Sequence, residues 1–177
     1  MTPLTLKQLQ DMCITQEGKA RCGDYLDAII AGQSLLNTPI RLASFLAQIL
    51  HESGEFRYKE EIASGEAYEG RRDLGNIYPG DGPKFKGRGA IQITGRTNYE
   101  ECGKALGLDL IDNPDLLLDP AYSIAASLWF WRVHDLNALA DKHNLAAITH
   151  VINGGMNGWQ DRLAYFQRAQ DALNEAA

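Results

Sequence analysis

Two stretches of the chain carry residue types at spacings that chemistry can use. His51-Glu52-Ser53-Gly54 closes an apolar run and sets a carboxyl where packed helix gives way to glycine-rich chain. A carboxyl walled on one side by helix packing is desolvated, which favours its neutral form. Glu60-Glu61 follow after Glu55-Phe56-Arg57-Tyr58-Lys59, and the break at Gly54 lets the chain turn a second carboxylate back across a gap. Two carboxyls in unlike surroundings suit hydrolysis of a glycosidic bond. One protonates the leaving oxygen, and the other activates water or attacks directly. Glu60 and Glu61 read equally as a solvated charge run with Arg57 and Lys59.

The second stretch, Gly87-Arg88-Gly89-Ala90-Ile91-Gln92-Ile93-Thr94-Gly95-Arg96-Thr97-Asn98-Tyr99, lacks the Gly-Lys-Ser/Thr ending of a phosphate loop. Read as a strand, it sets Gln92 and Thr94 on one face and Ile91 and Ile93 on the other. An amide beside a hydroxyl suits a bound water or a sugar hydroxyl; the alternative is a hairpin edge turned to solvent. Metal chemistry is not expected. A His-Glu-x-x-His site needs histidine at position 55, where Glu55 stands, and His51, His134, His143 and His150 show no ligand spacing. Cys13, Cys22 and Cys102 form no Cys-x-x-Cys and read as reduced, buried thiols, so no metal and no cofactor is expected.

The elements that must position these residues read as helices around one irregular lobe. Thr5 caps a short helix to about Cys13. Others are expected over 24–36, from Pro39 to about Gly54, and over 98–106, 120–134, 145–152 and 158–173. Between Gly54 and Gly95 glycine rises well above its usual ~7%. Phe85 to Thr94 is there the best candidate for a short strand or hairpin. The expected class is mainly α, with a small glycine-rich loop or β-hairpin lobe. Trp129, Phe130 and Trp131 read as core, while Tyr68, Tyr78 and Tyr99 are the better sugar-contact candidates. Lys84, Lys86, Arg88 and Arg96 against Asp81 suggest a basic rim, or an ordinary solvated edge.

With 177 residues, one domain spanning 1–177 is expected. The net charge of −6 argues against nucleic acid. No apolar run approaches the ~20 residues of a membrane span. From Asp161 to the C-terminus acids outnumber arginines, so a membrane-inserting helix is not expected either. The N-terminus shows no basic segment followed by an apolar one, which reads as synthesis without a signal peptide.

His51-Glu52-Ser53-Gly54, Glu61, the run Gly87 to Tyr99, Ile152-Asn153-Gly154-Gly155 and Asp161-Arg162-x-x-Tyr165-Phe166 together resemble glycoside hydrolase family 19 over about residues 40–170. Their order and spacing are closer to its short, phage-type endolysins than to its plant chitinases. The resemblance implies a lysozyme-like helical domain with residues 1–38 packed on it, and an inverting reaction. Glu52 matches the general acid, Glu61 the general base, and Thr94 the residue that positions the water. Gln92, Asn98 and Asn153 match polar residues of the sugar cleft. Arg162 matches an arginine near the catalytic carboxyls, and Tyr99 falls among the expected substrate contacts. Two departures stand out: the short spacing between the carboxyls, and Gly54-Glu55 where the family has Gly-Gly. The resemblance further implies a monomer made in a host cytoplasm that cuts peptidoglycan strands once the membrane is permeabilised. A chitinase of the same family and a non-catalytic wall-binding module are the alternatives.

Overall fold

Local caps start most of the helices. The side-chain oxygens of Thr5, Thr15, Thr38, Asp119 and Asn144 each accept a backbone N–H of the first turn. Pro39 and Pro120 occupy first helical positions, where the missing N–H costs nothing. In a computed structural model that describes residues 1–174, the helices are α1 (Leu6–Met12), α2 (Gln16–Gly32), α3 (Pro39–Glu52), α4 (Asp81–Lys84), α5 (Arg96–Leu106), α6 (Pro120–Val133), α7 (Leu136–Asp141), α8 (Leu145–Asn153) and α9 (Trp159–Asn174). Glu175, counted above in the charge of the last helix, lies outside the described residues. No helix among the described residues is long and apolar enough to cross a membrane.

Helix α3 is the central rod. Every residue from Leu42 to Leu50 is buried, and α9 packs along it. Each large apolar side chain so buried contributes ~1.5–3 kcal/mol. Phe45 meets Trp131 of α6 edge-on, with ring centres 5.4 Å apart. Helix α1 packs on α9 and α2, and α2 packs on α6; Arg168 of α9 donates to the carbonyls of Asp11, Met12 and Cys13. The Cys13 and Cys22 sulfurs lie 3.5 Å apart as buried free thiols. Burial pushes the Cys102 thiol up to about 12.

A second, smaller core of Phe85, Ile91, Ile93, Tyr99 and Leu117 holds the lobe against α5 and α6. The lobe forms no strand among the described residues. Two isolated antiparallel bridges, Glu60 with Arg88 and Arg88 with Ile93, stand where a hairpin was expected over Phe85–Thr94. Gln92 explains the difference, because its φ of 57° turns the chain out of any extended ladder. Side chains satisfy the lobe's backbone instead. Glu69 accepts from Gly80 and Gly82, and Asp81 accepts from Ile77 and Tyr78 while pairing with Arg96 at 2.7 Å.

Helix α2 begins eight residues before its expected start at Asp24. Its N-terminus is held by Glu55, distant in sequence. The Glu55 carboxylate accepts from the Ile14 and Thr15 amides, the Thr15 hydroxyl and the Tyr165 hydroxyl. Glu55 is 2% exposed and has a φ of 58°. Burial works against its charge, but these donors prevail and hold the carboxyl below its usual range.

Candidate active site

Glu52 is the last residue of α3, so its carboxyl emerges where the rod ends and the left-handed turn Gly54-Glu55-Phe56 begins. Its side chain is 18% exposed. Arg162 of α9, fully buried, donates from Nη2 to Glu52 Oε1, from Nη1 to Gln48 at 2.5 Å and from Nε to the Asn157 carbonyl at 3.3 Å. Gln48 in turn donates to Thr149 of α8 at 3.1 Å. Next to this pair, His51 Nδ1 meets Asp161 at 2.5 Å. Two consecutive residues of α3 are thus matched to two consecutive residues of α9. Glu52 Oε2 takes no hydrogen bond among the described residues and is left for a ligand.

Glu61 is presented by a different device. Its backbone N–H donates to the Gly87 carbonyl at 2.8 Å, and Gly87 N–H donates back to Glu61 Oε2 at 3.2 Å. Tyr68 donates its hydroxyl to Oε1 at 3.0 Å. Burial, then the contact with Glu61, pushes the Tyr68 phenol above its usual value, so it stays a donor. Gly87 is required by close approach. A Cβ there would stand 2.7 Å from Gln92 Oε1 and 3.4 Å from Glu61 Oε2.

Both carboxyls line one open hollow of about 290 Å³ with Tyr58, Ile62, Ala63 and Gln92. Ile62 is 85% exposed, an apolar face beside the carboxylates. Glu60, the neighbour that left the charge-run reading open, lines the same hollow but is committed to Arg88 at 3.0 Å and Lys86 at 3.4 Å. Gln92, Thr94 and Asn98 form a short relay. Asn98 Nδ2 donates to the Thr94 carbonyl at 2.8 Å, and the Thr94 hydroxyl donates to the Gln92 carbonyl at 2.9 Å. Gln92 Nε2 donates to the Gly89 carbonyl at 2.9 Å. Those bonds hold Gln92 in its left-handed shape, a conformation that costs about 1–3 kcal/mol and is characteristic of functional sites.

Several expected contacts fall elsewhere. Tyr99 is 0% exposed and donates to the Lys86 carbonyl at 2.7 Å from inside the second core, so it ties the lobe down and touches no substrate. Arg162 is likewise shut from solvent and acts on Glu52 rather than on a sugar. It does not reach Glu61, whose oxygens are served by neutral donors. Asn153 ends α8 on the exposed surface and does not line the hollow. The basic rim is spent internally: Arg88 pairs with Glu60 and Asp115, Arg96 with Asp81 and Lys86 with Glu60. Trp129 and Trp131 are core, as expected. Tyr58 and Ile62 were not found from the sequence; an exposed apolar residue beside an acidic pair was the signal. No cluster of His, Cys, Asp and Glu able to hold a metal occurs among the described residues.

Two carboxyls at the mouth of a helical scaffold, one on a buried arginine and the other on neutral donors, are the arrangement that acid/base hydrolysis of a glycosidic bond needs. Comparison with known proteins then supplies the family. The family described as chitinase class I, glycoside hydrolase family 19, matches residues 38–148. An endochitinase of Arabidopsis thaliana is 40% identical over 116 residues, covering 64% of this chain and 39% of the plant protein. A glycosyl hydrolase family 19 domain-containing protein of Haemophilus influenzae is 32% identical over 156 residues, covering 71% of this chain and 76% of its own. In three dimensions the chain is similar to chitinase C of Streptomyces griseus, with a TM-score of 0.74, 26% identity and coverage of 96% and 92% of the two chains. The chain spans less than half the length of the plant relatives matched first. It belongs to glycoside hydrolase family 19 and has that family's lysozyme-like, mainly helical fold.

Proposed function

We propose that the protein is an inverting endo-glycosidase that hydrolyses the glycan strands of bacterial peptidoglycan. The observation that carries the reading is the shared hollow into which α3 delivers Glu52 and the Gly87 turn delivers Glu61. In the proposed reaction Glu61 takes a proton from a water lying between it and the anomeric carbon. The water oxygen bonds to that carbon from one face as the glycosidic C–O bond breaks on the other. Glu52 delivers its proton to the departing oxygen from Oε2. Arg162 then faces a new carboxylate charge at Oε1, where its Nη2 already donates. Thr94, having given its own hydroxyl proton to the Gln92 carbonyl, keeps lone pairs that can accept from the attacking water. Gln92 lines the same hollow and is proposed to hold a sugar hydroxyl or acetamido group, with Asn98 supporting it.

Chitin is the second reading, favoured by the similarity to an endochitinase of Arabidopsis and to chitinase C of Streptomyces. Mass spectrometry separates the two when purified sacculi and chitin oligomers are digested side by side by wild-type and Glu52→Gln protein. The proposal expects new reducing ends from sacculi with wild type only. Cleavage of chitin oligomers without cleavage of sacculi decides for the second reading. Cleavage of sacculi by a well-folded Glu52→Gln protein removes Glu52 as the acid.

A further inference from the structure

Tyr58 stands between the carboxylate hollow and a second one. The same ring also lines a larger hollow of about 550 Å³, whose other walls include Thr15 and Glu17 of the α2 start, Arg21, Arg57 and Tyr165. Arg57 lays its guanidinium over the Tyr58 ring, 5.1 Å from its centre. Arg21 donates through Nε to the Glu55 carbonyl at 2.9 Å. Its Nη groups carry no hydrogen bond among the described residues. Elsewhere in the molecule Arg41, Arg71, Arg88, Arg96 and Arg162 each pair with a carboxylate. Arg21 and Arg57, like Arg72, Arg132 and Arg168, pair with no carboxylate among the described residues, and these two share one hollow. The Glu55 carboxylate in the wall keeps its charge but has its oxygens engaged by Ile14, Thr15 and Tyr165, and Glu17 is the other acid, so the donors left free there are the Arg21 Nη groups and the Arg57 guanidinium.

We propose that this second hollow is an anion subsite that continues the cleft past Tyr58 and takes the carboxylates borne on the peptide stems of a peptidoglycan strand. The inference rests on the peptidoglycan reading above and adds how that substrate is told from a neutral glycan. Chitin carries only hydroxyl and acetamido groups and gains nothing from two guanidiniums, whereas a carboxylate gains charge-assisted, fork-shaped hydrogen bonds. Arg57 is held over an aromatic ring, so less side-chain freedom is lost when it grips an anion.

The test measures binding of a disaccharide–tetrapeptide fragment with free carboxylates and of the same fragment with its carboxylates converted to carboxamides. Wild-type protein should bind the anionic fragment about tenfold more tightly, which is about 1.4 kcal/mol. The preference should shrink as salt rises, because the site is open to solvent. Arg57→Gln should bring the ratio below threefold, and Arg57→Lys, which keeps the charge but loses the fork, should restore only part of it. Arg57 is exposed and its side chain carries no hydrogen bond among the described residues, so its replacement tests the site without the risk that Arg21, which anchors Glu55, would bring. A ratio near one in wild type, or a ratio untouched by Arg57→Gln, overturns the subsite. Release of reducing ends from sacculi, followed in parallel, separates the failures. No release removes the peptidoglycan reading itself, while release with a ratio near one removes the subsite alone.

Discussion

Arg162, with no exposure to solvent, is bonded to Glu52 Oε1 and leaves Oε2 without a hydrogen bond among the described residues. Gln48 and the Asn157 carbonyl hold the same guanidinium from two other directions. The proposed acid is therefore oriented from behind by a group that the reaction never consumes.

Arg162→Gln should cost both stability and rate. Removing one partner of a largely buried ion pair typically costs about 3–5 kcal/mol, and the partial exposure of Glu52 lowers the expectation to about 2–3 kcal/mol. Chemical denaturation should show that loss. The fraction that remains folded should turn over at least tenfold more slowly, because Glu52 is no longer aimed. A variant with wild-type kcat would show that the guanidinium serves only packing.

Tyr68→Phe separates positioning of Glu61 from folding. The ring stays and one donor to Oε1 goes, so stability should move by about 1 kcal/mol or less. The kcat value should fall about three- to tenfold while substrate affinity changes little. An unchanged kcat, measured by reducing-end release, would mean that Gly87 alone fixes the base.

Much of this was legible from local signals. Thr5, Thr38-Pro39 and Asp119-Pro120 announce helices because caps act within one turn, and the apolar spacing of Ile40, Phe45, Leu46, Ile49 and Leu50 announces the buried rod. Glu52, Glu61 and Gln92 could be singled out by residue type and by the family resemblance, and the fold brings the three to one hollow. The start of α2 was not legible, since it depends on a carboxylate from Glu55, remote in sequence and held in a left-handed turn. Arg162, Arg88 and Tyr99 carry polar groups that read as surface or substrate contacts. Only the folded chain shows each of them sealed in, with Arg162 held by Gln48 and Glu52 and Tyr99 by Arg88 and the Lys86 carbonyl.

Acid should unfold the protein through two carboxylates. The donors from Thr15, Ile14 and Tyr165 hold Glu55 below its usual range against burial, and Arg96 above all holds Asp81 below its own. A depressed folded pKa contributes stability that is complete above the unfolded value of about 4 and is lost as pH falls through the folded one. Melting temperature should thus be flat from neutrality to about pH 5 and fall below about pH 4. Glu55→Gln should lower stability by about 2 kcal/mol at neutral pH and flatten the acid limb. An acid limb as steep as that of wild type would move the effect to other groups.

Gly18→Ala tests the same anchor by shape. A Cβ at position 18 would lie 2.1 Å from Glu55 Oε2, which outweighs the helix propensity gained by alanine. Melting temperature should fall by several degrees; a rise would mean that the carboxylate has slack to move.

Following the anomeric protons by NMR while β-linked glycan strands are cut tests the pairing of Glu52 and Glu61 most directly. Acid and base acting through a water predict that the new reducing end appears first as the α-anomer and mutarotates afterwards. A first-formed β-anomer, or a product without a reducing end, would contradict an inverting attack by water between these two residues.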